Sequence, residues 1–154
     1  MLKADRVLIA SHGTPGARAA ERAALELAAP GASILHLVVV PDFWKEMMGD
    51  DWLNNASTRA AYGRHVESQL AQEIEQHRIH LEREIRASGR RYEIKVVIGK
   101  PDEALLKYAA AVRPDLVVIG APRPRGTPGL RSRMRVEKLI GALEVALVVV
   151  PHPR

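Results

Sequence analysis

Two stretches of this chain carry residue types and spacings that could do chemistry. The first is Asp115 to Arg135, DLVVIGAPRPRGTPGLRSRMR, where Gly120, Gly126 and Gly129 are interleaved with Arg123, Arg125, Arg131, Arg133 and Arg135. Glycine lets backbone N–H groups approach an anion closely, and guanidinium groups hold phosphate oxygens in a bidentate grip. The pattern therefore suits a phosphate-binding loop, or else an exposed turn whose arginines are simply solvated. The second stretch is Ser11-His12-Gly13-Thr14, a polar turn closing an apolar run. His12 could hydrogen-bond to a ligand or stack on it. With Thr14 it forms no nucleophilic constellation, because no acidic group is identifiable to orient it. No catalytic residue is assigned, and only a slow ATPase is in view as an enzymatic reading. His65, His77 and His80, with Glu73 and Glu84 near them, are of metal-ligand type. His77 falls on an apolar helical stripe and His80 beside it, so the preferred reading is histidine at a core margin and no metal site.

These stretches are positioned by what precedes them. Leu116 to Ile119 and Val7 to Ala10 are short unbroken apolar runs, the signature of parallel strands buried on both faces. Ligands of open parallel sheets bind beyond the carboxyl ends of such strands, and a following helix N-terminus favours negative charge. After the first strand, Thr14 as N-cap and Pro15 at the first helical position predict a helix. Ala20, Ala23, Ala24, Leu27 and Ala28 share one of its faces, and Pro30-Gly31 ends it. Residues 34–40 form the second strand. Residues 42–58 hold Phe43, Trp44, Met47, Met48 and Trp52; they suit a flap or subunit contact, or a short extra helix on the domain edge. A long helix is predicted over 58–87, with Val66, Leu70, Ile74, His77, Leu81 and Ile85 as its stripe. Residues 92–98 alternate as a half-buried strand near a sheet edge. Pro101, Asp102 and Glu103 open a helix that buries Leu105, Leu106, Tyr108, Ala109 and Val112. Val136, Leu139, Ile140 and Leu143 make a last short helix, and residues 145–150 a final strand. The order β-α-β-(loop)-α-β-α-β-α-β predicts a doubly wound, five-stranded α/β sandwich.

Composition bounds the rest. A length of 154 residues suits one domain, 1–154, able to bury a core. Cysteine is absent, which excludes a disulfide framework and thiol chemistry. The N-terminal apolar run is too short for a signal peptide, and no segment nears the roughly 20 apolar residues of a membrane span. A soluble, cytoplasmic protein is expected. The net charge of +5 permits anionic partners. No aromatic residue sits in the basic loop to stack bases, which argues against nucleic acid.

In their order and spacing, these pieces resemble the universal stress protein A family across almost the whole chain. The carrying segments are VLIASHGT, GASILHLVVVP, GKPDEAL, and above all DLVVIG with its loop ending in Gly129-Leu130, followed by a helix and VALVVVP. The resemblance implies a three-layer, five-stranded parallel sheet of order 3-2-1-4-5, like the adenine nucleotide alpha hydrolases. It also implies a stress-response role and a homodimer built by antiparallel pairing of the last strands, here through Val145, Leu147, Val148, Val149 and Val150. Some members bind ATP or AMP, with Mg only where ATP is bound; others bind no nucleotide. Carried over by position, Ser11, His12, Gly13 and Thr14 would line a nucleotide site at the end of the first strand. Val38 and Val39 would offer backbone groups to an adenine, and Gly120, Arg123, Gly126, Gly129, Arg131 and Arg133 would surround phosphate. The chain departs from the ATP-binding pattern of Gly, two residues, Gly, nine residues, then Gly with Ser or Thr. Counting from Gly120 the glycine positions fall on Arg123 and Arg133; counting from Gly126, Gly129 fits but the final pair falls on Leu139-Ile140. The family's aspartate at the first strand's end is His12. Two readings stay open: a degenerate nucleotide site, or an interaction module that binds no nucleotide.

Overall fold

The structure is a computed structural model and describes residues 4–10, 15–40, 72, 74–121 and 134–151. Five strands, β1 (Ala4–Ala10), β2 (Ala28–Val40), β3 (Arg91–Ile98), β4 (Leu116–Gly120) and β5 (Ala146–Val150), form a sheet of order β3-β2-β1-β4-β5. Every pairing is parallel. Among the described residues the helices are α1 (Pro15–Leu27), α2 (described over 74–87), α3 (Pro101–Val112) and α4 (Val136–Ala142). The expected architecture and strand order are thus present.

The side-chain alternation of each strand divides the core into two layers. Val7 and Ile9 of β1, with Leu116 and Val118 of β4, pack with Ala20 and Ala24 of α1 and Leu81 and Ile85 of α2. Leu8, Val117 and Ile119 point the other way, against Leu105 and Ala109 of α3 and Leu139 of α4. β1 and β4 are sandwiched on both faces, which is why they read as continuous apolar runs. The alanines of α1 let its backbone approach the sheet closely. Each fully buried aliphatic side chain contributes roughly 1.5–3 kcal/mol through loss of apolar contact with water.

Two boundaries differ from expectation. Ala28 does not close α1 but opens β2, paired with Ala4 and fully buried in the first core layer. Pro30 and Gly31 fall inside the strand. Gly31 takes a positive φ of 75° in the stretch where the β1–β2 register shifts, so the chain bends there without leaving the sheet. The guanidinium of Arg90 donates to the Ala28 carbonyl at 2.8 Å, tying the start of β2 to the approach to β3. The second concerns α4, which ends at Ala142 with Leu143 as its cap instead of carrying Leu143 within it. Only Leu139 of its apolar residues is fully buried, while Ile140 is 69% exposed. Two helical turns present one side to the sheet, and Ile140 lies off it.

Asp115 pins the approach to β4. Its Oδ2 accepts hydrogen bonds from the backbone N–H groups of Asp5 and Arg6 at 3.1 and 3.0 Å. The Arg6 guanidinium in turn donates to the Val112 carbonyl at the end of α3. The α3 helix ends on Arg113, whose left-handed φ of 48° lets its N–H close on the Ala109 carbonyl. These contacts join the start of the first strand to a turn more than a hundred residues later.

Candidate functional site

β1 runs beside β4 with Val7 opposite Leu116 and Ala10 opposite Ile119. Their carboxyl ends therefore finish side by side, pointing the same way. On the other flank Ala10 lies opposite Leu37, so Val38 and Val39 run just past the end of β1. The chain leaves β1 toward α1 on one face of the sheet, whereas the helices that flank β4 in sequence, α3 and α4, pack on the other face. That reversal between adjacent strands is the topological switch point of a doubly wound sheet. The crevice it opens is where ligands of such folds bind.

Of the residues expected around a nucleotide, Val38, Val39 and Gly120 belong to this edge. Val38 is buried and Val39 packs against the second core layer, so each would meet a ligand through its backbone. Gly120 ends β4, opposite Val150. Ser11, His12, Gly13, Thr14, Arg123, Gly126, Gly129, Arg131 and Arg133 lie outside the described residues, as does the 42–58 connection. Of the residues expected at a dimer contact, Leu147, Val148, Val149 and Val150 belong to β5, and Val145 immediately precedes it. β5 is the last strand in the sheet order, and Val149 is 38% exposed.

A second polar constellation was not expected from the sequence. Glu21 of α1, His36 of β2 and His77 of α2 converge between the helices and the sheet, each offering one ligand atom within 4.8 Å of the others. Nε2–H of His77 donates to Oε1 of Glu21 at 2.6 Å. The His36 ring is wholly buried, stands edge-on to His77 with centroids 5.9 Å apart, and hydrogen-bonds through Nδ1 to the Tyr92 hydroxyl at 2.7 Å. Burial pushes the Tyr92 phenol well above its ordinary pKa range, so it stays neutral. A cleft of about 280 Å³ opens on this cluster, lined by Arg18, Glu21, Arg22 and Leu25 of α1 and His77, His80 and Glu84 of α2. His77 was placed correctly on the apolar stripe, but the partners it meets are Glu21 and His36. His80 stays exposed, with Nε2 3.9 Å from Glu84. The one signal in the sequence for this cluster was a histidine interrupting the apolar run ILHLVVV.

The description of the universal stress protein family matches residues 3–151. The chain belongs to the universal stress protein family. No curated protein sequence matches it. Among solved structures, this universal stress protein is similar to a family member from Burkholderia pseudomallei, with 21% identity, 96% of each chain covered and a TM-score of 0.66. It is similar to a member from Arabidopsis thaliana solved with AMP bound, with 17% identity, 96% of this chain and 92% of that chain covered, and a TM-score of 0.56. A third, a universal stress protein in complex with cAMP, shares 17% identity over 97% of this chain and 98% of its own, with a TM-score of 0.52. At such identities the likeness establishes the fold of this universal stress protein. Among its described residues no helix is long and apolar enough to cross a membrane.

Proposed function

We propose that this universal stress protein is a cytoplasmic, single-domain regulatory homodimer that binds an adenine nucleotide where β1 and β4 end together. The reading is carried by the switch point: two parallel neighbours whose carboxyl ends finish in register, with crossovers on opposite faces. It is supported by relatives of the same fold solved with AMP and with cAMP. In this reading the backbone of Val38 and Val39 meets the adenine and His12 the ribose or base. Gly120, Gly126 and Gly129 bring N–H groups to the phosphates, and Arg123, Arg131 and Arg133 supply the charge the missing Gly-Ser pair would have left to amides and a hydroxyl. Mg enters only with ATP. The dimer forms by antiparallel pairing of β5 with its copy, which covers an otherwise open strand edge.

Calorimetric titration of the full chain with AMP, cAMP and ATP tests the site. At protein concentrations on the order of 100 μM, even a weak site gives measurable heat. Saturable binding of one nucleotide per chain, weakened by His12→Ala, is the expected result, and absence of heat with all three overturns it. The departure of residues 120–140 from the ATP-binding spacing favours a second reading, an interaction module without nucleotide. Nucleotide retained in protein purified without added ligand excludes that module.

A further inference from the structure

We propose that Glu21, His36 and His77 form a binding site for a divalent transition-metal ion of the zinc class. The site lies on the face of the sheet covered by α1 and α2, separate from the switch-point crevice. Two imidazoles and one carboxylate, with a position left open, are a known donor set for four-coordinate zinc. Here the three come from three different elements, α1, β2 and α2, each held rigidly by the first core layer. Burial matters as much as identity: His36 is fully buried, and the Glu21 and His77 side chains are 8% and 13% exposed. Donors so enclosed are already stripped of most of their water and held in place.

The geometry needs only small adjustments. Four-coordinate ligands about 2.0–2.2 Å from an ion lie roughly 3.4 Å from one another. The three donors lie within 4.8 Å, and the Glu21–His77 pair, at 2.6 Å, has to open. The proton that joins Glu21 to His77 is what an ion would replace: Nε2 gives it up as the metal–nitrogen bond forms, the ring stays a neutral imidazole with its one N–H on Nδ1, any surplus proton goes to solvent, and the carboxylate oxygen turns to the same ion. Tyr92 supplies the outer contact. Its hydroxyl fixes the His36 ring through Nδ1, and coordination would be through Nε2, with the ring's N–H on Nδ1 donated to the Tyr92 oxygen. Metal-bound histidines are commonly oriented by such a hydrogen bond on the opposite nitrogen. The cleft between α1 and α2 gives the ion a route from solvent and room for a fourth ligand. Arg18 and Arg22 on its wall make that ligand water or a small anion. By joining α1, β2 and α2 at one point, the ion would clamp this half of the molecule.

The test uses the full chain, stripped with chelator, and two probes: zinc(II) by calorimetry and cobalt(II) by visible absorption. The expected result is one equivalent of zinc per chain and the intense ligand-field bands of four-coordinate cobalt. Glu21→Gln and His77→Gln, which keep the side-chain volume, should weaken zinc at least about tenfold, and Tyr92→Phe about tenfold. Glu137→Gln, on α4 across the sheet, should leave zinc affinity unchanged. Far-UV circular dichroism shows whether each variant folds; should either ligand variant unfold, the stoichiometry and cobalt spectrum of the unaltered chain decide. No zinc heat at protein concentrations on the order of 100 μM, a six-coordinate cobalt spectrum, or affinity unchanged in folded Glu21→Gln and His77→Gln would each overturn the proposal.

Discussion

Tyr92 shows how much a single residue can control here. Its ring fills the first core layer beside Ile34 and Leu81 while its hydroxyl holds His36. Removing that hydroxyl leaves His36 Nδ1 without it in a buried place, at a cost of about 1–3 kcal/mol. Tyr92→Phe should lower the urea midpoint accordingly. The same residue sets a pH dependence. Burial raises its folded pKa above the unfolded value of about 10. Below pH 10 both states hold the proton and its stabilisation is intact. As pH climbs past 10 the unfolded chain releases its proton first, so unfolding becomes easier. Burial, then the nearby Glu93, raises Tyr108 in the same direction. Denaturation midpoints should fall as pH rises beyond about 10, and fall less steeply in Tyr92→Phe, where of the described tyrosines Tyr108 alone is still raised.

At the scale of elements, the joint between β1 and the turn before β4 is held by the Asp115 carboxylate together with the Arg6 guanidinium. Asp115 accepts two backbone N–H groups that strand pairing does not reach. Asp115→Ala should cost about 1–2 kcal/mol in a urea titration, and Asp115→Asn, which keeps an acceptor, less. The strands themselves were legible in the sequence because burial on both faces leaves unbroken apolar runs such as VVI and VLI. Their order became legible only through family resemblance, since periodicity says nothing of neighbours. Ala28 was assigned to a helix because alanine favours helices and Pro30-Gly31 looked like a stop; its pairing with Ala4 overrode both. Ile140 belongs to the last helix as expected, but a two-turn helix has no second side to bury it. The Glu21–His36–His77 cluster was illegible for another reason. Its hydrogen bonds join residues 56 positions apart, and no local spacing records such a meeting. At the switch-point edge, the ends of the apolar runs put Val38, Val39 and Gly120 near strand termini, whereas their part in a nucleotide site came only with the family resemblance.

For the molecule as a whole, β5 is one of the two edge strands of the sheet. Leu147, Val148 and Val150 are half-buried and Val149 is exposed, so the strand offers both backbone and apolar surface to a second copy. Val149→Lys puts a charge on that edge, a device that blocks strand pairing. Light scattering coupled to size exclusion should give a dimer for the unaltered chain and a monomer for Val149→Lys, with unchanged circular dichroism. A monomeric unaltered chain would remove the proposed assembly while leaving the nucleotide site to its own titration.

The central place of β1 also has a consequence for the birth of the chain. β1 leaves the ribosome before either of its neighbours and can be joined early by β2, but its other flank belongs to residues 116–120. Until those are synthesised, Val7 to Ala10 present a bare row of amides and carbonyls to anything nearby. A nascent chain halted short of Leu116 is therefore the form most exposed to aggregation and most in need of a chaperone.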